Sequence, residues 1–144
     1  MKIEKVEVQE IARQFGTPVY VYSLEILRQS INEIKKLSPV TRYAMKASSN
    51  VKILQEMLAN GVKIDAVSVY EVQRAIRAGY KAEDICFTSD VFFNADDVNY
   101  CLDNNIYCNC GTLGMVEEYG QALKKQGSGL SLIHISEPTR LGMI

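Results

Sequence analysis

The chain has 144 residues, which is enough for one ordinary domain. It is 47% hydrophobic and 23% charged with a formal net charge of −1, so the charge balance points neither to nucleic acid nor to a membrane surface. No stretch approaches the roughly 20 apolar residues of a membrane-spanning helix, and the first residues lack the apolar core of an export signal, so a cytoplasmic protein is expected.

Residues 1–22 predict a short helix followed by a strand. The helix, over residues 1–16, is indicated by apolar residues at helical spacing, namely Val8, Ile11, Ala12 and Phe15. Gly16 is a typical helix stop. Residues 17–22, TPVYVY, are β-branched and aromatic, which favours a strand. Ser23 is then placed to cap a second helix with one apolar stripe.

From residue 40 onward, a strand followed by a helix recurs four times. The predicted strands are residues 40–45, 62–67, 85–88 and 106–109. The predicted helices are residues 51–60, 69–78, 95–104 and 113–124. Strand starts lie roughly 21 to 23 residues apart, the length of a compact βα unit. This alternation predicts a parallel sheet covered by helices, but it leaves open whether the sheet closes into a barrel.

Capping residues support these boundaries. Ser68 and Glu71 have the spacing of a capping box, in which the serine is the cap and the glutamate follows three residues later. Asn50 and Asn94 are candidate caps of their helices. Gly61 and Gly79 suit the left-handed conformation that ends a helix.

Four cysteines could in principle form disulfides or bind metal. Without an export signal, buried free thiols are the expected state. Cys108 and Cys110 share one face of a predicted strand, but this pair lacks the second pair that a zinc site requires. No metal site is therefore predicted.

The composition changes at Gly127. Residues 131–140, SLIHISEPTR, resemble the peptide obtained when a sequencing adapter is translated. Pro138 and Gly142 would also stop any helix after the apolar start of this segment. Residues 127–144 are therefore expected to be an unstructured tail foreign to the gene, and His134 is given no role.

Polar residues lie at or just after the end of each predicted strand and converge on one rim of a parallel sheet. They are Lys46 and Ser48, then Asp65 and Ser68, then Thr88, Ser89 and Asp90, then Asn109 and Thr112. Helix capping explains Ser68 and Thr112 equally well. It does not explain Lys46, which is either a solvated lysine at a strand end or a functional amine. The loop after it has no glycine, which favours a Schiff base with a carbonyl over a phosphate cradle.

Residues 42–50, RYAMKASSN, resemble the pyridoxal-phosphate lysine motif of the alanine-racemase-like barrel decarboxylases. The likeness continues through residues 15–22, 61–68 and 85–91 and covers about residues 9–120. Alanine racemases share the lysine, but the loop that follows it in those enzymes is missing here. Tyr70 is a departure, because this family usually has glycine before the glutamate that corresponds to Glu71.

The resemblance implies a partial (β/α)8 barrel of the TIM type, about the first half, over residues 23–126, preceded by the helix and strand of residues 1–22. It implies that Lys46 carries pyridoxal phosphate and that Ala44, Asp65 and Ser68 line the cofactor. It implies an amino-acid substrate, foremost meso-2,6-diaminopimelate, which would yield L-lysine and carbon dioxide. Ornithine, arginine or carboxynorspermidine are alternative substrates, and a non-catalytic pyridoxal-phosphate carrier is the alternative from another class. The full-length protein is expected to be a homodimer.

The number of βα units limits what the chain can do alone. A full barrel of this type has about eight units and about 250 residues, whereas four are predicted here. The chain by itself is therefore expected to be inactive and barely folded. Val67, Phe87 and Ile106 are expected to face the barrel interior and to lose their cover in the half barrel.

Overall fold

The structure is a computed structural model that describes residues 1–88, 94–125 and 127. It divides into two units, Met1–Thr41 and Arg42–Ile144. Within the described part of the chain, no helix is both long and apolar enough to cross a membrane. The predicted tail and His134 lie outside the described residues, except for Gly127.

The first unit begins with a hairpin and continues with two helices. Strand β1 (Lys2–Ile3) pairs antiparallel with β2 (Val6–Glu7). Helix α1 (Val8–Phe15) follows and ends at Gly16, whose φ of 78° suits glycine. Helix α2 (Leu24–Lys35) is capped by Ser23, whose Oγ accepts a hydrogen bond from the Ile26 amide at 3.1 Å.

Two predictions for this unit are wrong. Residues 1–7 form the hairpin rather than the start of a helix, since charged and apolar residues nearly alternate there, as in a strand. Residues 17–22 form no strand, and Tyr20 is 91% exposed. Their β-branched and aromatic residues favour a strand only when a partner strand is present, and no described residue pairs with them.

The second unit confirms the repeated βα pattern. Its strands are β3 (Arg42–Ala44), β4 (Lys63–Ala66), β5 (Ile85–Thr88) and β6 (Tyr107–Asn109). Its helices are α3 (Val51–Ala59), α4 (Val69–Ala78), α5 (Ala95–Asp103) and α6 (Leu113–Lys125). These bounds agree with the predicted ones within two residues.

The four strands form one parallel sheet in the order β3-β4-β5-β6. Arg42 pairs with Lys63, Ile64 with Ile85, and Cys86 with Tyr107, so each strand pairs with the strand 21 residues before it. The helices of this unit pack in chain order: α3 packs against α4, α4 against α5, and α5 against α6. The sheet is thus built by simple addition of βα units, without a reversal of strand order.

The predicted caps are in place. Asn50 Oδ1 accepts from the Lys52 amide at 2.9 Å, Ser68 Oγ from the Glu71 amide at 3.3 Å, and Asn94 Oδ1 from the Asp97 amide at 2.7 Å. Gly79 ends α4 with a φ of 106°. A Cβ there would lie 3.3 Å from a methyl carbon of Leu58, so glycine is favoured by space as well as by conformation.

The two faces of the sheet differ in chemistry. Residues that pair between parallel strands point to the same side, and neighbours along a strand point to opposite sides. The face covered by the helices carries Tyr43, Ile64, Ala66, Ile85, Phe87 and Cys108. The other face, called here the polar face, carries Arg42, Ala44, Lys63, Asp65, Cys86, Thr88, Tyr107 and Asn109.

The hydrophobic core lies between the sheet and the helices. All four helices contribute to it, through residues such as Leu54, Val72, Val98, Cys101 and Met115. The expectation that Phe87 and Ile106 lose their cover is wrong, because they are only 1% and 2% exposed beneath the helices. Strand alternation places Phe87 on the same side as Ile85, away from the polar face. Val67 is half-buried.

A buried tyrosine joins two elements of this core. The Tyr80 hydroxyl lies 3.0 Å from the carbonyl oxygen of Val62 and 3.2 Å from that of Leu54. Burial raises the pKa of Tyr80 far above its ordinary value, so the hydroxyl keeps its proton and can donate to these acceptors. This side chain therefore supplies a hydrogen-bond donor to carbonyl groups inside the core.

Tyr80→Phe should lower the free energy of unfolding by about 1–3 kcal/mol, because two buried carbonyls would lose their donor. Urea denaturation of the protein measures the change. Tyr70→Phe is the matched control, since the Tyr70 side chain is exposed. An equal loss of stability in both variants would contradict the assignment.

Candidate active site

The carboxyl ends of β3 to β6 bring the predicted site residues to one edge of the sheet. After β3 the backbone forms a short 3-10 turn, Met45–Ala47. Met45 is 1% exposed and anchors this turn in the core, whereas Lys46 is exposed. The turn therefore directs the lysine amine away from the core, at the end where catalytic groups of parallel α/β folds are found.

The loop that follows Lys46 is fixed by contacts from three elements. The Tyr43 hydroxyl donates to the Ser48 carbonyl at 3.1 Å, from within β3. Arg74 in α4 donates through Nη1 to Ser49 Oγ at 3.0 Å. Asn50 caps α3. The three residues that directly follow the Lys46 turn are therefore each held by a hydrogen bond.

Asp65 lies on the polar face beside Ala44, its partner in the ladder between β3 and β4. Its Oδ1 accepts a hydrogen bond from the Thr88 hydroxyl on β5 at 2.7 Å. This short bond to a carboxylate fixes the orientation of the group between neighbouring strands. Ala44 contributes only a methyl group, which leaves space next to this carboxylate.

A thiol adjoins this pair. Cys86 pairs with Asp65 in the ladder, and its Sγ lies 3.7 Å from Thr88 Oγ1. Burial raises the pKa of the Cys86 thiol. Cys86 is therefore a neutral neighbour of the Asp65 side chain.

Ser68 stands at the amino end of α4 on the same rim, where its oxygen caps the helix as the capping interpretation predicted. Glu71 completes the cap but accepts from the Val67 amide, at 2.8 Å, rather than from the amide of Ser68 itself. Two donors at the helix start are satisfied in this way. The proton of the Ser68 hydroxyl can still be donated to another group.

The structure brings only some of the predicted residues together. Ala44, Asp65, Thr88 and Asn109 lie on the polar face, at or near the carboxyl ends of four adjacent strands. Lys46 follows two residues after Ala44, and Ser68 belongs to the helix start. Thr112 caps α6 through a bond from the Met115 amide at 3.2 Å. Ser89 and Asp90 lie outside the described residues.

Tyr43, Arg74 and Cys86 are contributors that the sequence analysis did not identify as site residues. Arg74 is one of several charged residues on a helix, and its partner Ser49 is 25 residues away. Tyr43 was predicted as part of a strand and of the lysine motif of residues 42–50, without a role of its own. A strand-to-strand register could have placed Cys86 beside Asp65, but the register becomes visible only in the structure.

Residues 24–136 match a protein family described as pyridoxal-dependent decarboxylase, pyridoxal binding domain. The chain is 40% identical over 112 residues to the diaminopimelate decarboxylase of Escherichia coli K12, covering 75% of this chain and 26% of that protein. It is 36% identical over 115 residues to the diaminopimelate decarboxylase of Streptomyces coelicolor, covering 77% of this chain and 26% of that one. The chain therefore spans about a quarter of the length of these curated relatives.

A solved structure gives the same result for the fold. The crystal structure of the Helicobacter pylori diaminopimelate decarboxylase, complexed with L-lysine, superposes with a TM-score of 0.77 at 27% identity. The match covers 84% of this chain and 32% of that chain. The parallel sheet with its helices is thus the arrangement found at a corresponding part of that enzyme.

Proposed function

The chain belongs to the pyridoxal-dependent decarboxylases, whose pyridoxal-binding domain it matches, and we propose that it is the N-terminal part of a diaminopimelate decarboxylase. The observation that carries this proposal is the likeness to diaminopimelate decarboxylases across three quarters of the chain. The proposed reaction converts meso-2,6-diaminopimelate to L-lysine and carbon dioxide. The relative crystallised with L-lysine binds the product of this reaction.

The residues at the rim fit pyridoxal phosphate. The cofactor is an aromatic aldehyde, so it needs a primary amine, and Lys46 is the only lysine among the described residues that directly follow the strands of the parallel sheet, β3 to β6. It also needs space beside polar groups, which the methyl side chain of Ala44 and the oriented carboxylate of Asp65 offer. The loops after β3 and β4 contain no glycine, so these two loops do not form a glycine-rich phosphate cradle.

Each residue has a proposed role in the reaction. When bound, pyridoxal phosphate supplies an aldehyde that binds an amino group and a ring that accepts the electron pair left when carbon dioxide departs. Lys46 Nζ holds the cofactor and, once the substrate's amino group has displaced it, can hold or donate a proton at the rim. Asp65 lies on the polar face, where the Thr88 hydroxyl keeps its carboxylate in place. There it would stabilise positive charge on a bound ligand. Ser68 can donate its remaining proton.

We also propose that the sheet is about half of a (β/α)8 barrel. Strands that follow one another in order, with all four helices packed on one face, are what a barrel requires, whereas a doubly wound sheet reverses its order. Residues 23–126 would supply the barrel units, and residues 1–22 would precede them. The foreign origin of residues 127–144 stays a prediction, and the family match runs to residue 136.

A comparison of substrates tests the proposed function. The full-length protein, supplied with pyridoxal phosphate, should release carbon dioxide from meso-diaminopimelate and form L-lysine. Its kcat/KM for this substrate should exceed that for ornithine, arginine and carboxynorspermidine by at least about a hundredfold, because a site that binds a polar end group rejects analogues lacking it. Protein without cofactor is the control.

Two outcomes would contradict the proposal and identify the alternatives. Preference for ornithine, arginine or carboxynorspermidine would indicate another decarboxylase of the same fold. Stoichiometric cofactor binding without release of carbon dioxide from any of the four substrates would indicate a pyridoxal-phosphate carrier. Both outcomes are read from the same assay, by measuring released carbon dioxide and bound cofactor together.

A further inference from the structure

The loop after Lys46 is tied to the rest of the fold by side chains that do not themselves lie at the rim. Arg74 belongs to the second turn of α4, and Tyr43 lies on the helix-covered face of β3. Neither residue is adjacent to Lys46 in sequence. Both side chains nevertheless donate hydrogen bonds to the short segment that follows Lys46. Tyr43 donates to Ser48, and Arg74 donates to Ser49.

The Arg74 contact joins two successive βα units. Its Nη1 lies 3.0 Å from Ser49 Oγ and 3.5 Å from the Ser49 carbonyl oxygen. A guanidinium nitrogen carries more than one proton and keeps its charge at all relevant pH values, so one nitrogen can serve both acceptors. The contact thus holds side chain and backbone of Ser49 at once.

The Tyr43 contact reaches the same loop from strand β3, whereas the Arg74 contact reaches it from helix α4. Its ring packs against the hydrophobic core, and its hydroxyl donates to the Ser48 carbonyl at 3.1 Å. Because the ring is fixed by the core, the hydroxyl is a rigid point of attachment for the loop. Buried Met45 fixes the chain on the other side of Lys46.

We propose that Arg74 and Tyr43 are positioning residues, which fix the backbone around Lys46 and so aim its amine at the cofactor. This inference rests on the proposed function. The lysine side chain has four flexible carbons, so the position of its backbone is what limits where the amine can reach. A displacement of about 1 Å at a reacting group can cost about a hundredfold in rate.

A purely structural role for Arg74 would have a different signature. If the contact only tied α4 to the loop before α3, its loss would lower stability and would leave the chemistry of Lys46 unchanged. A positioning role predicts the reverse, because a hydrogen bond between exposed groups contributes little to stability. The two roles are therefore separable by measuring attachment of cofactor, catalysis and stability in the same variants.

A double-mutant cycle in the full-length, cofactor-loaded protein tests the inference. Arg74→Gln and Ser49→Ala should each lower kcat about tenfold while KM stays within about twofold, and the melting temperature should hardly change. The double variant should also lose only about tenfold, because both changes break the same contact. In the apoprotein, the rate at which added pyridoxal phosphate attaches to Lys46, followed by its visible absorbance, should fall by a similar factor.

Three further variants complete the test. Tyr43→Phe should slow attachment independently, so that its effect multiplies with that of Arg74→Gln. Arg74→Lys should restore part of the attachment rate, since it keeps the charge. Arg77→Gln is the matched control on the same helix, because the Arg77 side chain is exposed and makes no hydrogen bond or ion pair with another described residue, and it should leave all rates unchanged.

Two results would overturn the positioning role. One is a hundredfold loss in the double variant, which would mean that Arg74 and Ser49 act separately. The other is an unchanged attachment rate in Arg74→Gln and Tyr43→Phe. If instead the wild-type protein attaches no cofactor to Lys46, the proposed function itself fails, and this result is distinguishable because it requires no variant.

Discussion

Lys46→Ala should abolish decarboxylation in the full-length, cofactor-loaded protein, with a loss in kcat of about a thousandfold or more. The amine of this residue is proposed both to hold the cofactor and to move a proton after the substrate has bound, and residues that do both are rarely replaceable. Among the described residues, no other lysine lies at the carboxyl end of a strand of the parallel sheet to take its place. Steady-state kinetics with meso-diaminopimelate measures the loss.

Two other lysines, Lys52 and Lys63, provide the controls for this result. Lys52 is exposed on α3, and Lys63 lies at the opposite end of the sheet, with its Nζ 3.0 Å from Asp84 Oδ1. Lys52→Ala should leave kcat within about twofold of the wild-type value. Borohydride reduction followed by peptide mapping should find the cofactor on Lys46. Its recovery on Lys52 or Lys63 would refute the assignment.

Phe87→Ala should lower the free energy of unfolding by about 3–5 kcal/mol, the usual cost of removing a large buried aromatic side chain. Phe87 is among the largest fully buried side chains of the core, and all four helices pack around that core. The variant would leave a cavity at its centre. The shift of the urea denaturation midpoint of the full-length protein measures the effect.

Leu113→Ala is the matched control, because Leu113 is apolar but 79% exposed at the start of α6. It should change the free energy of unfolding by less than about 0.5 kcal/mol. If Phe87→Ala were as mild as Leu113→Ala, the placement of Phe87 in the hydrophobic core would be wrong. The pair of variants thus compares a buried with an exposed apolar side chain of the same unit.

The repeated βα pattern could be predicted from sequence because it depends on local signals. Apolar periodicity marks the helices, and Asn50, Ser68 and Asn94 are short polar residues at positions where a helix start leaves amides without partners. Lys46 and Asp65 could be placed at a common rim for the same reason, since Lys46 directly follows a predicted strand and Asp65 lies near the carboxyl end of the next one.

The remaining features depend on contacts between distant residues. Ile85, Cys86 and Phe87 are all buried, so their sequence does not reveal which of them faces the helices; pairing with β4 decides this. Residues 17–22 show the opposite problem, because their composition suits a strand but no described strand pairs with them. The Thr88 bond to Asp65 likewise depends on register, a property of two strands together.

The constant pairing distance of 21 residues has a consequence for how the protein is made. Each new strand finds its partner one βα unit earlier, so the loop to be closed is short and the entropy cost of each pairing is similar. During synthesis on the ribosome, a strand can pair as soon as its own unit has emerged, because its partner is already outside. The nascent sheet then grows at one edge while β3 remains the other edge, so no interior strand is left without a partner as the chain emerges.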